Sequence, residues 1–371
     1  MRPIAKIHGL FVIYYFCKCR FVRSQEERIY NDLPWDSLNQ SLSNILDTHT
    51  QSFPNSTQLA IALIKENKVE YIGVEKVNGT LTGVRNENKV FEIGSISKVF
   101  TSTMLAQMIG DGILSLDDRV GQILDLSDLD DYGVTLQHLA NHTSGLLRLP
   151  TNLDLLSEPS NPYKAYDAEL LIQYLSGDFE LMSLPGESYA YSNLGAGLLG
   201  HILTVESGKS YEQLLQEIIC KAYKLNNTTT IRSEVPQNHI VRGRQPNGDP
   251  ADNWDFDVLV GAGGILSTVE DLIQFAQAQI KSDHLSHTIS HNATHELDDN
   301  MAVGLGWHII KQQNGGKWLW HNGGTAGYTS SMTIDKEHKA AVVILSNVSA
   351  FHLGMGNVDQ LCFSLVAELN K

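Results

Sequence analysis

The segment Phe91-Glu92-Ile93-Gly94-Ser95-Ile96-Ser97-Lys98-Val99-Phe100 sets a serine three residues ahead of a lysine, at the start of an apolar helical pattern. Residues three apart share one face of a helix, so the Ser95 hydroxyl and the Lys98 amine can meet. A serine hydroxyl is a weak nucleophile until a neighbour takes its proton. A lysine surrounded by Ile93, Val99 and Phe100 is expected to be buried. Burial penalises the ammonium and lowers its pKa toward the range of a useful base. Backbone N–H groups at the helix start would stabilise an oxyanion. Alone, Ser-x-x-Lys reads better as a capping serine followed by a solvated lysine.

Two further signals turn the pair into a constellation: Tyr191-Ser192-Asn193 and His321-Asn322-Gly323-Gly324-Thr325-Ala326-Gly327-Tyr328. Tyr191 offers a second proton carrier. A phenol with its ordinary pKa of about 10 is a poor base at neutral pH. The expectation is that two nearby cations, Lys98 and a protonated His321, lower it. The bland alternative is a core tyrosine. Asn193 can donate to a substrate carbonyl or hold the Lys98 ammonium, or it can cap the apolar helix over 195–205. Gly323 and Gly324 allow a substrate to lie against the strand, or they form a plain glycine-rich turn.

The order Ser-x-x-Lys, Tyr-x-Asn, then a glycine-rich strand opened by a basic residue resembles the serine β-lactamase and penicillin-binding-protein superfamily. The pattern is most similar to class C β-lactamases and their DD-peptidase, D-aminopeptidase and family VIII esterase relatives. The resemblance covers roughly residues 36–371. It implies Ser95 as the nucleophile of an acyl-enzyme, with Lys98 and Tyr191 as its proton-transfer partners and the choice of base open. It implies an oxyanion hole from the N–H groups of Ser95 and Gly324, and substrate contacts from Asn193, His321, Asn322, Gly323 and Gly324. No cofactor or metal is implied. His321 and Asn322 depart from the Lys-Thr pair of many relatives. A histidine is mostly neutral at pH 7, so a fixed positive charge for a substrate carboxylate is lost from this position. The site is therefore expected to suit peptides or esters ending in small D-amino acids better than penicillins.

The rest of the chain supports an ordinary globular body. It has 371 residues, 42% hydrophobic and 19% charged, enough for about two lobes. Residues 1–23 hold five basic and no acidic side chains, so the remaining 22 basic and 42 acidic ones give the body a charge of −20 against −15 overall. Such acidity repels phosphate backbones, so no nucleic-acid partner is expected, only a small-molecule or peptide substrate. The basic start at Arg2 and Lys6, followed by the apolar stretch Gly9 to Cys17, reads as a signal peptide or N-terminal anchor over 1–24. Lys18, Arg20 and Arg23 are unusual before a cleavage point. An exported protein, periplasmic or extracellular, is expected, with membrane contact at most through this segment. Cys17 and Cys19 lie in it; Cys220 and Cys362 sit among apolar residues and are expected to be buried free thiols.

The elements that must position the motifs follow from periodicity. Leu59–Ile64 and Val69–Val74 read as a β-hairpin around Glu66-Asn67. A helix follows Ser95 and stops at Gly110 and Gly112. Residues 115–300 are mostly helical patterns and loops, with Thr135 capping a short helix ahead of the turn His142-Thr143-Ser144-Gly145, and Ser267 with Glu270 forming a capping box. Strands return at Gly304–Ile309, Trp318–His321, Tyr328–Ile334 and Ala340–Leu345, and Met355–Leu369 is an amphipathic helix. The fold class expected is α/β (α+β): an antiparallel sheet built from both chain ends (about 36–94 and 300–371), flanked by helices, with an inserted helical lobe (about 95–299). Four histidines, His284, His287, His291 and His295, suggest metal ligation, but their Ser/Thr/Asn-rich setting favours a solvated loop. Gly186-Glu187-Ser188-Tyr189-Ala190 lacks the last glycine of a nucleophile elbow, and Pro185 argues for a turn. Eight Asn-x-Ser/Thr sequons occur, at Asn39, Asn55, Asn78, Asn141, Asn226, Asn227, Asn292 and Asn347. Two function classes follow. One is a serine acyl-hydrolase: a D-alanyl-D-alanine carboxypeptidase or D-aminopeptidase, or else an esterase or weak β-lactamase. The other is a scaffold protein without turnover.

Overall fold

The computed structural model describes residues 28–29, 40–281 and 284–371. The expected leader over 1–24, with Cys17 and Cys19, lies outside the described residues, as does the sequon at Asn39. Among the described residues ten strands form one sheet. They are β1 (Arg28–Ile29), β2 (Gln58–Lys65), β3 (Lys68–Val77), β4 (Thr80–Gly83), β7 (His295–Glu296), β8 (Met301–Val303), β9 (His308–Lys311), β10 (Lys317–Gly324), β11 (Thr329–Asp335) and β12 (Ala340–Ser346). Their order is β1-β3-β2-β12-β11-β10-β9-β8-β7, with β4 also on β3. β5 (Val90–Glu92) and β6 (Leu266–Thr268) pair apart from it, just before Ser95. β12 pairs with β2 antiparallel, Ile344 opposite Ile61, so the two ends of the chain close one sheet.

Both faces of that sheet are covered, which explains why β2 and β12 read as unbroken apolar runs. Alternation splits each strand between two cores. Ala60, Ala62, Ile64, Ala341, Val343 and Leu345 face the helical side, where the Val269–Lys281 helix packs on β2 and β12. Leu59, Ile61, Leu63, Val342 and Ile344 face the helices Gln40–Thr50 and Asn357–Leu369. The latter buries Val358, Leu361, Cys362, Leu365 and Val366, the face read from the sequence. Cys220 and Cys362 are buried free thiols.

Three local expectations are corrected. The segment Gly304–Ile309 is not one strand: Val303 pairs with His308 across a hairpin loop, so its alternating pattern straddles the turn between β8 and β9. The capping role falls on Thr268, whose hydroxyl accepts the Asp271 N–H at 3.1 Å. Ser267 remains in β6, its hydroxyl bonded to that of Thr228 at 2.8 Å. The His284–His291 stretch is a helix, Leu285–His291, with His287 buried. His287 Nε2 meets the Tyr223 hydroxyl at 2.8 Å, and the His287 and His291 rings stack at 5.7 Å. The imidazoles are packing groups, which a polar composition alone does not reveal. The Thr135 cap is present as a full capping box with His138.

Candidate active site

Between Val90 and Ala106 every residue is buried except Ser95, which is partly exposed. It lies on a single 3-10 turn, Gly94–Ile96, running into the helix Ser97–Gly110. That turn is possible because Gly94 adopts a left-handed φ of 53° and because its neighbour strand comes very near. A Cβ on Gly94 would lie 2.5 Å from the Gly324 nitrogen, and one on Gly323 would lie 2.0 Å from the Ile93 oxygen and 2.9 Å from the Ser95 nitrogen. The two glycines thus let the serine turn seat against the end of β10. Gly323 makes this contact and also lines the cleft over Ser95.

Lys98 Nζ is 3.0 Å from Ser95 Oγ and 2.6 Å from the carbonyl oxygen of Ala262. The residue is 2% exposed, and no carboxylate among the described residues is paired with it. Burial, reinforced by the Arg148 cation, drives its pKa well below the usual lysine range. In its uncharged form the amine can donate to Ala262 O and still offer its lone pair to the Ser95 hydroxyl.

Tyr191 is hydrogen-bonded to Ser95. Its ring centroid is 4.9 Å from Lys98 Nζ, 5.1 Å from the Arg148 guanidinium carbon and 4.4 Å from the His142 ring. The expectation of a lowered phenol pKa is overturned. Burial pushes it well above its ordinary value, and the Ser95 hydrogen bond and Arg148 offset only part of this. Of the two cations invoked for lowering it, Lys98 has its own pKa driven well below the usual lysine range, and burial holds His321 well below the usual histidine range. His321 Nδ1 lies 2.6 Å from the Asn322 carbonyl, so it carries the hydrogen. His321 is 1% exposed and stands behind the cleft wall, its ring centroid 6.3 Å from that of Tyr191.

A cleft of about 740 Å³ opens over Ser95, bordered by Tyr191, Asn193, Asn322, Gly323 and Gly324. Asn193 is the first residue of the helix Asn193–Ser207; the cap is Ser192, whose hydroxyl accepts the Gly195 N–H at 2.8 Å. Asn193 Oδ1 is buried without a partner. The Asn322 amide donates to Asp359 on the C-terminal helix at 2.7 Å. Several neighbours were not singled out from sequence. His142 accepts the Ser192 N–H on Nδ1 at 3.2 Å and flanks Tyr191; the sequence marks it only as part of a turn. His308 bonds the Tyr189 hydroxyl at 3.0 Å, and burial lowers its pKa to about 4. Arg148, Tyr163, Trp254 and Phe351 also line the cleft, and no spacing rule in the sequence marks them. Ser188, the decoy nucleophile, sits exposed just after the turn at 185–187.

A model of the Beta-lactamase family matches residues 47–355. The chain belongs to this family, within the serine β-lactamase and penicillin-binding-protein superfamily that its motifs resemble. It is 28% identical over 284 residues to penicillin-binding protein 4* of Bacillus subtilis (strain 168), covering 70% of this chain and 61% of that protein's length. It is 26% identical over 289 residues to the D-alanyl-D-alanine-carboxypeptidase/endopeptidase AmpH of Escherichia coli (strain K12), covering 71% of this chain and 70% of that one. A solved class C β-lactamase superposes with a TM-score of 0.73 at 20% identity, covering 89% of this chain and 95% of the other. That likeness establishes the fold.

Proposed function

We propose that this protein is a serine hydrolase that works through a covalent acyl-enzyme. The observation that carries the reading is the 3.0 Å approach of a buried lysine amine, its pKa driven well below the usual range, to the one partly exposed residue of its segment, Ser95. Lys98 takes the Ser95 proton as Oγ bonds to the substrate carbonyl carbon. The N–H groups of Ser95 and Gly324 hold the oxygen of the tetrahedral intermediate. Tyr191, a neutral phenol hydrogen-bonded to Ser95, passes a proton to the leaving amine or alcohol as that bond breaks. Lys98 hands the serine proton on to Tyr191, which resets both groups; water then attacks the acyl ester and loses a proton to Lys98, and as the Oγ–carbon bond breaks that proton returns to Ser95 Oγ, freeing the acid and the serine. The open question of the base is thereby assigned to Lys98, because Tyr191 is held protonated.

The substrate class we propose is a peptide ending in a small D-amino acid, in line with the carboxypeptidase named among the relatives. The apolar walls of the cleft, Leu149, Leu155, Trp254 and Phe351, favour short apolar esters as a second class. Export through the 1–24 segment belongs to the same proposal. The test is labelling with a fluorophosphonate and a fluorescent penicillin, read by intact mass and gel. Wild type is expected to gain one adduct on Ser95 and Ser95→Ala none. Unlabelled wild type that melts cooperatively would favour a scaffold without turnover.

A further inference from the structure

The strand position that holds a fixed cation in many relatives carries a neutral, buried histidine here, yet the cleft is not without charge. Among the residues that line it, Arg148 is the only lysine or arginine, and no aspartate or glutamate is present. Its side chain is exposed to the cleft and forms no ion pair among the described residues. Its backbone is fixed: the Arg148 carbonyl accepts the N–H groups of Asn193 at 2.9 Å and Leu194 at 3.1 Å, which ties it to the Tyr-x-Asn motif. Its guanidinium carbon stands 5.1 Å from the Tyr191 ring centroid. The remaining basic groups near Ser95, namely Lys98, His142, His308 and His321, all have their pKa values lowered by burial.

We infer that Arg148 is the substrate's anion anchor, its guanidinium binding a free carboxylate close to the scissile carbonyl. A guanidinium presents a planar fork of donors that matches a carboxylate bidentately. An anion seated there meets no competing acid on the cleft walls. Because Tyr191 is bonded to Ser95, a carboxylate on Arg148 lies within a short peptide's reach of the nucleophile. The anchor thus replaces, from a different element, the charge missing at His321. This inference rests on the acyl-hydrolase reading for its meaning, but its test does not depend on turnover.

The carboxylate can belong to the leaving group or to the acyl part, and paired ligands separate these sources. In a Ser95→Ala background, calorimetry or saturation-transfer NMR compares N-acetyl-D-alanyl-D-alanine with its C-terminal amide. It likewise compares succinyl-D-alaninamide with butyryl-D-alaninamide. For at least one pair the carboxylate form should bind about tenfold tighter than its neutral partner, as expected of a charge-assisted hydrogen bond in a partly open site. Arg148→Ala should abolish that advantage, and Arg148→Lys should keep part of it, since charge remains but the fork is lost. The pair that responds identifies which side carries the anion. Equal binding within both pairs, an advantage that survives Arg148→Ala, or no binding of any ligand would overturn the inference. Failure of the hydrolase reading appears separately, as absence of Ser95 labelling, and leaves the affinity ratio readable.

Discussion

Replacing Gly94 by alanine tests whether the approach of two glycine backbones sets the reaction geometry. The added methyl meets the Gly324 nitrogen at 2.5 Å, where ordinary contact begins at 3.4 Å. The obstacle is backbone, so no rotamer relieves it, and the serine turn and the end of β10 must separate by about 0.9 Å. A misplacement of about 1 Å in a reacting pair costs roughly a hundredfold in rate, and loss of one oxyanion donor about 10²–10³. The left-handed φ of 53° adds roughly 1 kcal/mol of strain for alanine. Gly94→Ala is therefore expected to lose about a hundredfold in kcat/KM on a p-nitrophenyl ester. Its melting temperature should fall by only a few degrees. Stopped-flow measurement of the acylation burst and a calorimetric scan supply both numbers. Activity within threefold of wild type would refute the idea that this contact aligns the two donors.

Two other outcomes follow from burial. His308 is held neutral with a pKa of about 4, against about 6.5 unfolded. The unfolded chain therefore binds more protons between those values, and stability is lost as pH falls through that window. Buried acids such as Glu92 and Asp359, whose pKa values are raised, act in the opposite sense, so the histidine is isolated by comparison. The loss of stability between pH 7 and pH 5 should shrink by about 1–2 kcal/mol in His308→Gln, measured by urea titration at both pH values; an unchanged gap counts against a buried neutral imidazole. Burial also pushes the Cys220 and Cys362 thiols up to about 12, leaving almost no thiolate at pH 8. Peptide mapping after iodoacetamide should find both unmodified in native protein and fully alkylated in urea, and substantial native labelling would contradict the packing described.

The parts of the site legible in the sequence were those set by short spacing. Ser95 and Lys98 meet because three residues make most of one helical turn. The 135–138 capping box and the buried face of the C-terminal helix are likewise local patterns. Alternation failed where a tight turn mimicked it, at 304–307, and composition failed where polar side chains find partners inside a core, at 284–291. The charge states around Tyr191 were misjudged for the same reason: a residue's type announces its ordinary pKa, while desolvation by distant elements decides the actual one.

Residue types and short spacings were enough to single out Ser95 as the proposed nucleophile, the lysine beside it, the tyrosine motif, the superfamily pattern and the closure of one sheet from both chain ends. The neutrality of His321, the close seating of Gly94 against β10 and the presence of Arg148 in the cleft came only from the folded chain. Each depends on atoms brought together from distant segments, Arg148 with Asn193 45 positions on and Gly94 with Gly324 230 positions on, where dielectric, van der Waals contact and charge act through space. One-dimensional order carries no record of those distances.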